Sequence, residues 1–191
     1  KYTKLVVESA YEPEAREVGE AVIVRYRGEP YVYNKSVFNK LWKLVVEPLR
    51  NGENPRGNGF LLVGLAGVGK TQLVGIIEDA AGVRKFDILA SQILSKYVGE
   101  AEHRLRRVFE EALDAGRAII AFHDFDTLLG VGFREGTGEG YEVYVNLRSE
   151  LNNWFDSIRG TGVVILATTN VSVSAVNMAV RRRLVPIFIP P

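Results

Sequence analysis

The eight residues Gly64-Leu65-Ala66-Gly67-Val68-Gly69-Lys70-Thr71 carry the spacing Gly-x4-Gly-Lys-Thr. Each residue type in that spacing has a task at a phosphate. Glycines let the backbone wrap closely around phosphate oxygens, so that successive N–H groups point inward. A helix that starts at Lys70 adds the positive end of its dipole. The Lys70 ammonium supplies a point charge to the β- and γ-phosphates, and the Thr71 hydroxyl is placed to ligate Mg²⁺. Gly64, Ala66, Gly67, Val68, Gly69, Lys70, Thr71 and Gln72 are therefore the expected nucleotide contacts, with Lys70 facing solvent until phosphate arrives. The chain holds no Asn-Lys-x-Asp guanine-reading signature, so ATP or ADP with Mg²⁺ is expected rather than GTP. The bland rival is a glycine-rich turn that happens to precede a helix.

Such a loop works only between a buried strand and a helix, and the flanking sequence supplies both. Gly59-Phe60-Leu61-Leu62-Val63 is an apolar run short enough to be a buried parallel strand, and a helix is expected from about Lys70 to Ala81. Further strands are expected at Phe86 to Leu89, Ala118 to Phe122, Val163 to Ala167 and Ile187-Phe188-Ile189. Between them lie helical patterns. Leu105, Val108, Phe109, Ala112 and Leu113 form one apolar face, and Tyr144, Leu147, Leu151, Trp154, Phe155 and Ile158 another, with a short helix near Met178–Arg183. Five apolar strands alternating with helices predict an α/β three-layer sandwich with a five-stranded parallel sheet. Upstream, a helix is expected over residues 36–50, with Phe38, Leu41, Trp42, Val45 and Leu49 on one face. Residues 1–34 read differently, as a β-rich extension or linker before a nucleotide-binding unit at 35–191. There, Ala21 to Tyr26 and Tyr31-Val32-Tyr33 are expected to be two strands joined by the turn Arg27-Gly28-Glu29-Pro30.

Composition narrows the function classes. With 191 residues, of which 47% are hydrophobic and 25% charged, the chain can bury one substantial core. Lys+Arg number 24 against Asp+Glu 23, so no global field points to nucleic acid or to an anionic membrane. The absence of cysteine excludes a disulfide framework and thiolate metal sites, and two histidines are too few for a histidine cage. No apolar run approaches the roughly 20 residues that span a bilayer, and no signal-peptide pattern is present, which makes the cytoplasm the expected compartment. The chain opens on Lys1 and stops at Pro190-Pro191 after an apolar run, as a fragment of a longer protein would. The basic run His103-Arg104-Leu105-Arg106-Arg107 is most simply a solvated helix face, because no aromatics interleave with it as a stacking platform.

From the loop onward, over residues of about 36 to 191, the sequence resembles the AAA+ ATPases, in particular the AAA clade of ring-forming remodelling machines. Ser95-Lys96-Tyr97-Val98-Gly99-Glu100 is similar to that clade's first pore loop, and Phe109-Glu110-Glu111-Ala112 to the helix after it. Arg117 to Asp126 lies where the Walker B strand is carried, and Ser149-Glu150-Leu151 and Phe155-Asp156 resemble the following helix. Val163 to Asn170 looks like the sensor-1 strand, and Arg181-Arg182-Arg183 like the arginine-finger segment. The resemblance implies that Asn170 positions the attacking water and that Arg182 and Arg183 reach a neighbouring subunit's nucleotide. It also implies that Tyr97 and Val98 line a central pore and grip a polypeptide. The expected assembly is a homo-oligomeric ring, a hexamer, acting on a protein substrate without nucleic acid or membrane. Plainer readings stand beside these: Asn170 as a turn residue, the arginines as a solvated helix face, and Tyr97 packing on its own domain.

The sequence departs from that pattern at Walker B, where Asp-Glu is expected. Aligned on Asp126, it offers His123 and Asp124. Imidazole brings no negative charge and suits hard Mg²⁺ poorly, whereas Asp124 keeps a carboxylate one methylene shorter than Glu for activating water. In the other register Asp124 is the Mg²⁺ partner and Phe125 holds the base position. His123 as a packed strand-end residue is the plain alternative. A helical lid follows the fifth strand in the family, and the sequence stops at Pro191 before it, so weak nucleotide binding and weak assembly are expected unless the longer protein supplies it. Two functions result. One is an ATPase that remodels, unfolds or translocates protein; the other is a degenerate domain that binds nucleotide with little turnover.

Overall fold

The computed structural model describes residues 12–94, 98–129, 139–170, 172 and 178–191. Five strands form its centre: β4 (Gly59–Val63), β5 (Arg84–Leu89), β6 (Arg117–His123), β7 (Gly162–Thr169) and β8 (Val185–Phe188). They pair in parallel in the order β5-β6-β7-β4-β8, so β4, which feeds the glycine loop, lies between β7 and β8. Strand alternation divides their side chains between two cores. Ala118, Ile120 and Phe122 of β6 enter one core and Ile119 and Ala121 the other. Because both faces are covered, β6 and β7 read as continuous apolar runs, as parallel strands do.

On one face lie α5 (Val98–Ala115) and α6 (Glu139–Ser157). Phe109 of α5 stacks on Trp154 at 5.2 Å, and Phe122 packs against Phe125 at 5.5 Å. The Phe109 ring has no exposed surface, so its truncation to alanine would cost about 3–5 kcal/mol. The side chain of Tyr144, expected on the α6 face, lies outside the described ones. Short elements complete the chain: α4 (Ala90–Leu94), a 3₁₀ turn at Phe125–Leu129, and α7 (Met178–Arg183).

The other face carries α3 (Lys70–Ala81) and the segment from Lys35. The helix expected over residues 36–50 is broken into α1 (Lys35–Leu41), a π turn at Trp42–Val46 and α2 (Glu47–Arg50). The break has a cause in Pro48, which has no N–H and whose ring would strike a carbonyl one turn back. Widening the turn, with the Glu47 N–H donating to the Trp42 carbonyl, makes room for it. Asn34 caps α1 through its side chain, which accepts from the Val37 N–H at 3.2 Å.

Before α1, three antiparallel strands run in order: β1 (Glu14–Val18), β2 (Ala21–Tyr26) and β3 (Glu29–Asn34). The β2–β3 turn has positive φ at both Arg27 and Gly28, as a two-residue hairpin of this twist requires. β1 was not expected; its sequence EAREV is exposed throughout and has no apolar alternation to betray it. Val22, Val24, Tyr26 and Tyr33 point the other way, into the same core as α1 and α3. Among the described residues, no helix is long and apolar enough to cross a membrane.

Candidate nucleotide site

The loop between β4 and α3 is anchored by close backbone contacts at Gly64. The Gly64 N–H donates to the Thr169 carbonyl at 3.2 Å, and a Cβ on Gly64 would come 2.8 Å from the Ile189 carbonyl oxygen. At the start of α3, Gly69 adopts φ +86°, a left-handed conformation open to glycine. The Gly69 carbonyl accepts two hydrogen bonds, from the Leu73 N–H and from the Tyr33 hydroxyl, both at 2.9 Å.

Lys70 does not face solvent. It is only 8% exposed, and its Nζ donates to the carbonyls of Gly64 and Leu65, both at 2.7 Å. The loop's own carbonyls thus collect the ammonium at its mouth. Burial lowers the Lys70 pKa, against the pull of the Asp126 and Asp124 carboxylates, which raises it.

The loop opens on a cavity of about 500 Å³, to which it contributes Ala66 to Gln72 and not Gly64. The opposite wall comes from the ends of β6 and β7: Asp124, Thr168 and Asn170. Asp126 ties those two ends together. Its carboxylate accepts the Thr169 hydroxyl and, at 3.1 Å, the Asn170 N–H. The Asp124 N–H donates to the Thr168 hydroxyl at 3.4 Å, and Asp124 itself has φ +53°, a strained conformation for a residue with a side chain. Pro30, Tyr31, Val32 and Tyr33 form a third wall. That contribution of the N-terminal sheet was not foreseen, and the one signal for it is the alternation Tyr31-Val32-Tyr33, which turns both rings to one side.

His123 is not brought to this cavity. Its Nε2 lies 3.0 Å from Asp87 Oδ1 on β5, and it lines a neighbouring cavity of about 310 Å³ with Gln72 and Glu78. That hydrogen bond holds the Asp87 carboxyl below its ordinary pKa. Glu78, only 4% exposed, has its pKa pushed up to about 8 by burial and by the Asp87 carboxylate. Asp124, which both registers place at the site, is the carboxylate that lines the cavity. For Mg²⁺ the residues fit in part: the Thr71 hydroxyl and the Asp124 carboxylate are hard oxygen donors lining one cavity, and the imidazole lines the adjoining one, which Thr71 also borders. Among the described residues no cluster of three His, Asp or Glu could hold a metal without help. Mg²⁺ carried on phosphate oxygens and water needs no such cluster.

The remaining expected residues are dispersed. Arg183 is bound to Asp156 of α6 through two parallel hydrogen bonds, Nε to Oδ1 at 2.9 Å and Nη2 to Oδ2 at 3.0 Å. Its Nη1 also donates to the Ala179 carbonyl, so this guanidinium braces α7 against α6 and is not presented outward. Arg182, on the same turn, is exposed. Tyr97 lies outside the described residues, and Val98 is the first residue of α5.

Known proteins are similar to this chain in sequence and in fold. Over 125 residues the chain is 36% identical to protein CdcH of Halobacterium salinarum, covering 65% of this chain and 16% of that protein. Over 139 residues it is 36% identical to the ATP-dependent zinc metalloprotease FtsH of Pelobacter propionicus, covering 67% and 22%. The chain thus spans less than a quarter of the length of either relative. The crystal structure of the FIGL-1 AAA domain in complex with ADP superimposes with a TM-score of 0.68 at 25% identity, over 82% of this chain and 52% of that one. Residues 60–190, from β4 to beyond β8, match the family profile itself, and the chain belongs to the ATPase family associated with various cellular activities (AAA).

Proposed function

We propose that this chain is the nucleotide-binding subdomain of an ATP-hydrolysing machine that remodels, unfolds or translocates protein substrates as a ring, a hexamer. The observation that carries the reading is the convergence of Lys70 and Thr71 with Asp124 and Asn170 on one cavity. The loop amides and Lys70 hold the phosphates; Thr71 and Asp124 hold the metal. Bound with the nucleotide, Mg²⁺ supplies neutralisation of the phosphate charge. Asp124 takes the proton from the attacking water, and the Asn170 amide orients that water. Asp126 keeps the two in register by tying β6 to β7. Arg182, exposed at the far end of the sheet, acts on a neighbouring subunit's nucleotide, with Arg183 beneath it. Tyr97 and Val98 contact the polypeptide. A protein substrate is supported by relatives such as FtsH, whose name describes an ATP-dependent protease.

One observation favours a second reading, a domain that binds nucleotide with little turnover and serves as a structural or regulatory subunit. In the register aligned on Asp126, His123 takes the place of the expected Walker B carboxylate, and it is engaged with Asp87. Steady-state ATPase activity of the full-length protein, measured against its own concentration, separates the two. Turnover that rises with concentration supports the ring enzyme. Nucleotide binding without turnover at any concentration supports the second reading.

A further inference from the structure

Tyr33 is the next-to-last residue of β3, and strand alternation turns it inward while Val32 stays exposed. Its side chain is 3% exposed, and its ring stacks on Phe38 with centroids 6.2 Å apart. The ring is thus fixed by packing, and its hydroxyl emerges at one point, 2.9 Å from the Gly69 carbonyl oxygen. Burial raises the phenol's pKa, so the group stays an O–H donor at any working pH.

Gly69 is where the loop most needs such a restraint. With no Cβ and φ +86°, it has more backbone freedom than any neighbour that carries a side chain. A Cβ there would lie 3.1 Å from the Tyr33 oxygen, so the two have a close fit. The Gly69 carbonyl also accepts the Leu73 N–H, the first bond of α3. Two donors on one carbonyl fix its direction. Because the peptide unit is planar and trans, the Lys70 N–H on its other side is fixed as well. That N–H opens the helix whose end meets phosphate.

We propose that Tyr33 is a positioning residue of the phosphate loop: through the Gly69 carbonyl it sets the direction of the Lys70 amide, and with it the affinity for the phosphates of an adenine nucleotide. The affinity part rests on the nucleotide reading above. The N-terminal sheet is then part of the nucleotide site, although it lies outside the residues that match the family.

The same sheet supplies its own control. The Tyr26 hydroxyl donates to Asp79 Oδ2 at 3.1 Å, so it grips α3 well past the loop. Tyr33→Phe and Tyr26→Phe each remove one hydroxyl and keep the ring. The two are compared with the parent by thermal melting, calorimetric titration with ADP, and ¹H–¹⁵N resonances of Gly69 and Lys70. Both variants are expected to melt earlier. Tyr33→Phe alone is expected to shift the Lys70 amide resonance before nucleotide is added and to weaken ADP by about three- to tenfold. Tyr26→Phe is expected to keep ADP affinity within about twofold. An unmoved Lys70 resonance in Tyr33→Phe overturns the proposal, as does an equal loss of ADP affinity in both variants. If the parent itself does not bind ADP, the nucleotide reading falls, and the Lys70 resonance still decides whether Tyr33 holds that peptide.

Discussion

The Lys70 ammonium lies 2.7 Å from the Gly64 carbonyl oxygen, at the opposite end of the same loop. A second bond of equal length reaches Leu65, so Lys70 both charges the loop and closes it on itself. Lys70→Ala therefore has two effects. Nucleotide binding is lost with the charge, and stability falls by about 1–3 kcal/mol as two charge-assisted hydrogen bonds go and the cost of burying the ammonium is relieved, while the fold persists. Titration with ADP and a urea melt read the two effects separately. Unchanged ADP affinity in the variant would remove the nucleotide reading.

The loop and the sheet could be read from the sequence because their signals are local. Gly-x4-Gly-Lys-Thr is a spacing within eight residues, and β6 and β7 are apolar on both faces because helices cover both. What stayed hidden depends on partners distant in the chain. Tyr33 bonds a backbone carbonyl 36 positions away, which leaves no mark in residue types. The same holds for His123, whose partner Asp87 lies 36 positions away, and for Arg183, whose partner Asp156 lies 27 positions away. β1 escaped because a strand exposed along its whole length has no alternation. The π turn escaped because apolar periodicity survives a single widened turn, although Pro48 marked the place.

Glu78 is expected to make stability depend on pH. Its pKa is raised to about 8 from the ordinary carboxyl value of 4.5, by burial first and then by Asp87, with Asp79 adding and Lys85 opposing. A carboxyl with a raised folded pKa is more readily protonated in the folded state. Its contribution is full below about pH 4.5 and is lost as pH rises towards 8. Glu78→Gln keeps the neutral shape and removes the titration. The parent is expected to lose stability between pH 5 and 8, on the order of a few kcal/mol, and the variant to lose much less. Urea midpoints at the two pH values check this, and equal slopes in both proteins would show that Glu78 is not the group responsible.

At the end of β6, neighbouring substitutions should act differently. His123→Asp places a carboxylate against Asp87, where the imidazole now bonds at 3.0 Å. The expected result is a lower urea midpoint and no gain in Mg²⁺-dependent turnover. A rise in turnover would show instead that position 123 serves the metal. Asp124→Asn keeps the size of the side chain and removes its basicity. Turnover of the assembled protein should fall by about 10²–10⁴, with the affinity for Mg²⁺-free ADP nearly unchanged. An Asp124→Asn protein that hydrolyses ATP at the parent's rate would rule this carboxylate out as the base.

The arginines at the end of α7 allow a test of action between subunits. Arg183 is bound by both carboxylate oxygens of Asp156 and donates to the Ala179 carbonyl, so its removal should loosen α7 and lower thermal stability. Arg182 is exposed on the same turn and should carry the action in trans. Replacing Arg182 with alanine is expected to leave the melting temperature and the isolated subunit's ADP affinity intact. Turnover of the assembly should drop by about 10³–10⁵, the usual contribution of an arginine supplied to a neighbour's phosphates. Mixing gives the sharper measurement. Subunits with Lys70→Ala still present Arg182, and subunits with Arg182→Ala still bind nucleotide. At an interface between the two kinds, the second kind's nucleotide faces the first kind's arginine, and one competent site is restored. The two inactive variants should therefore regain partial activity when combined. A mixture as inactive as its components, beside a parent that turns over, would mean that Arg182 does not act across the interface and that the ring mechanism lacks its arginine.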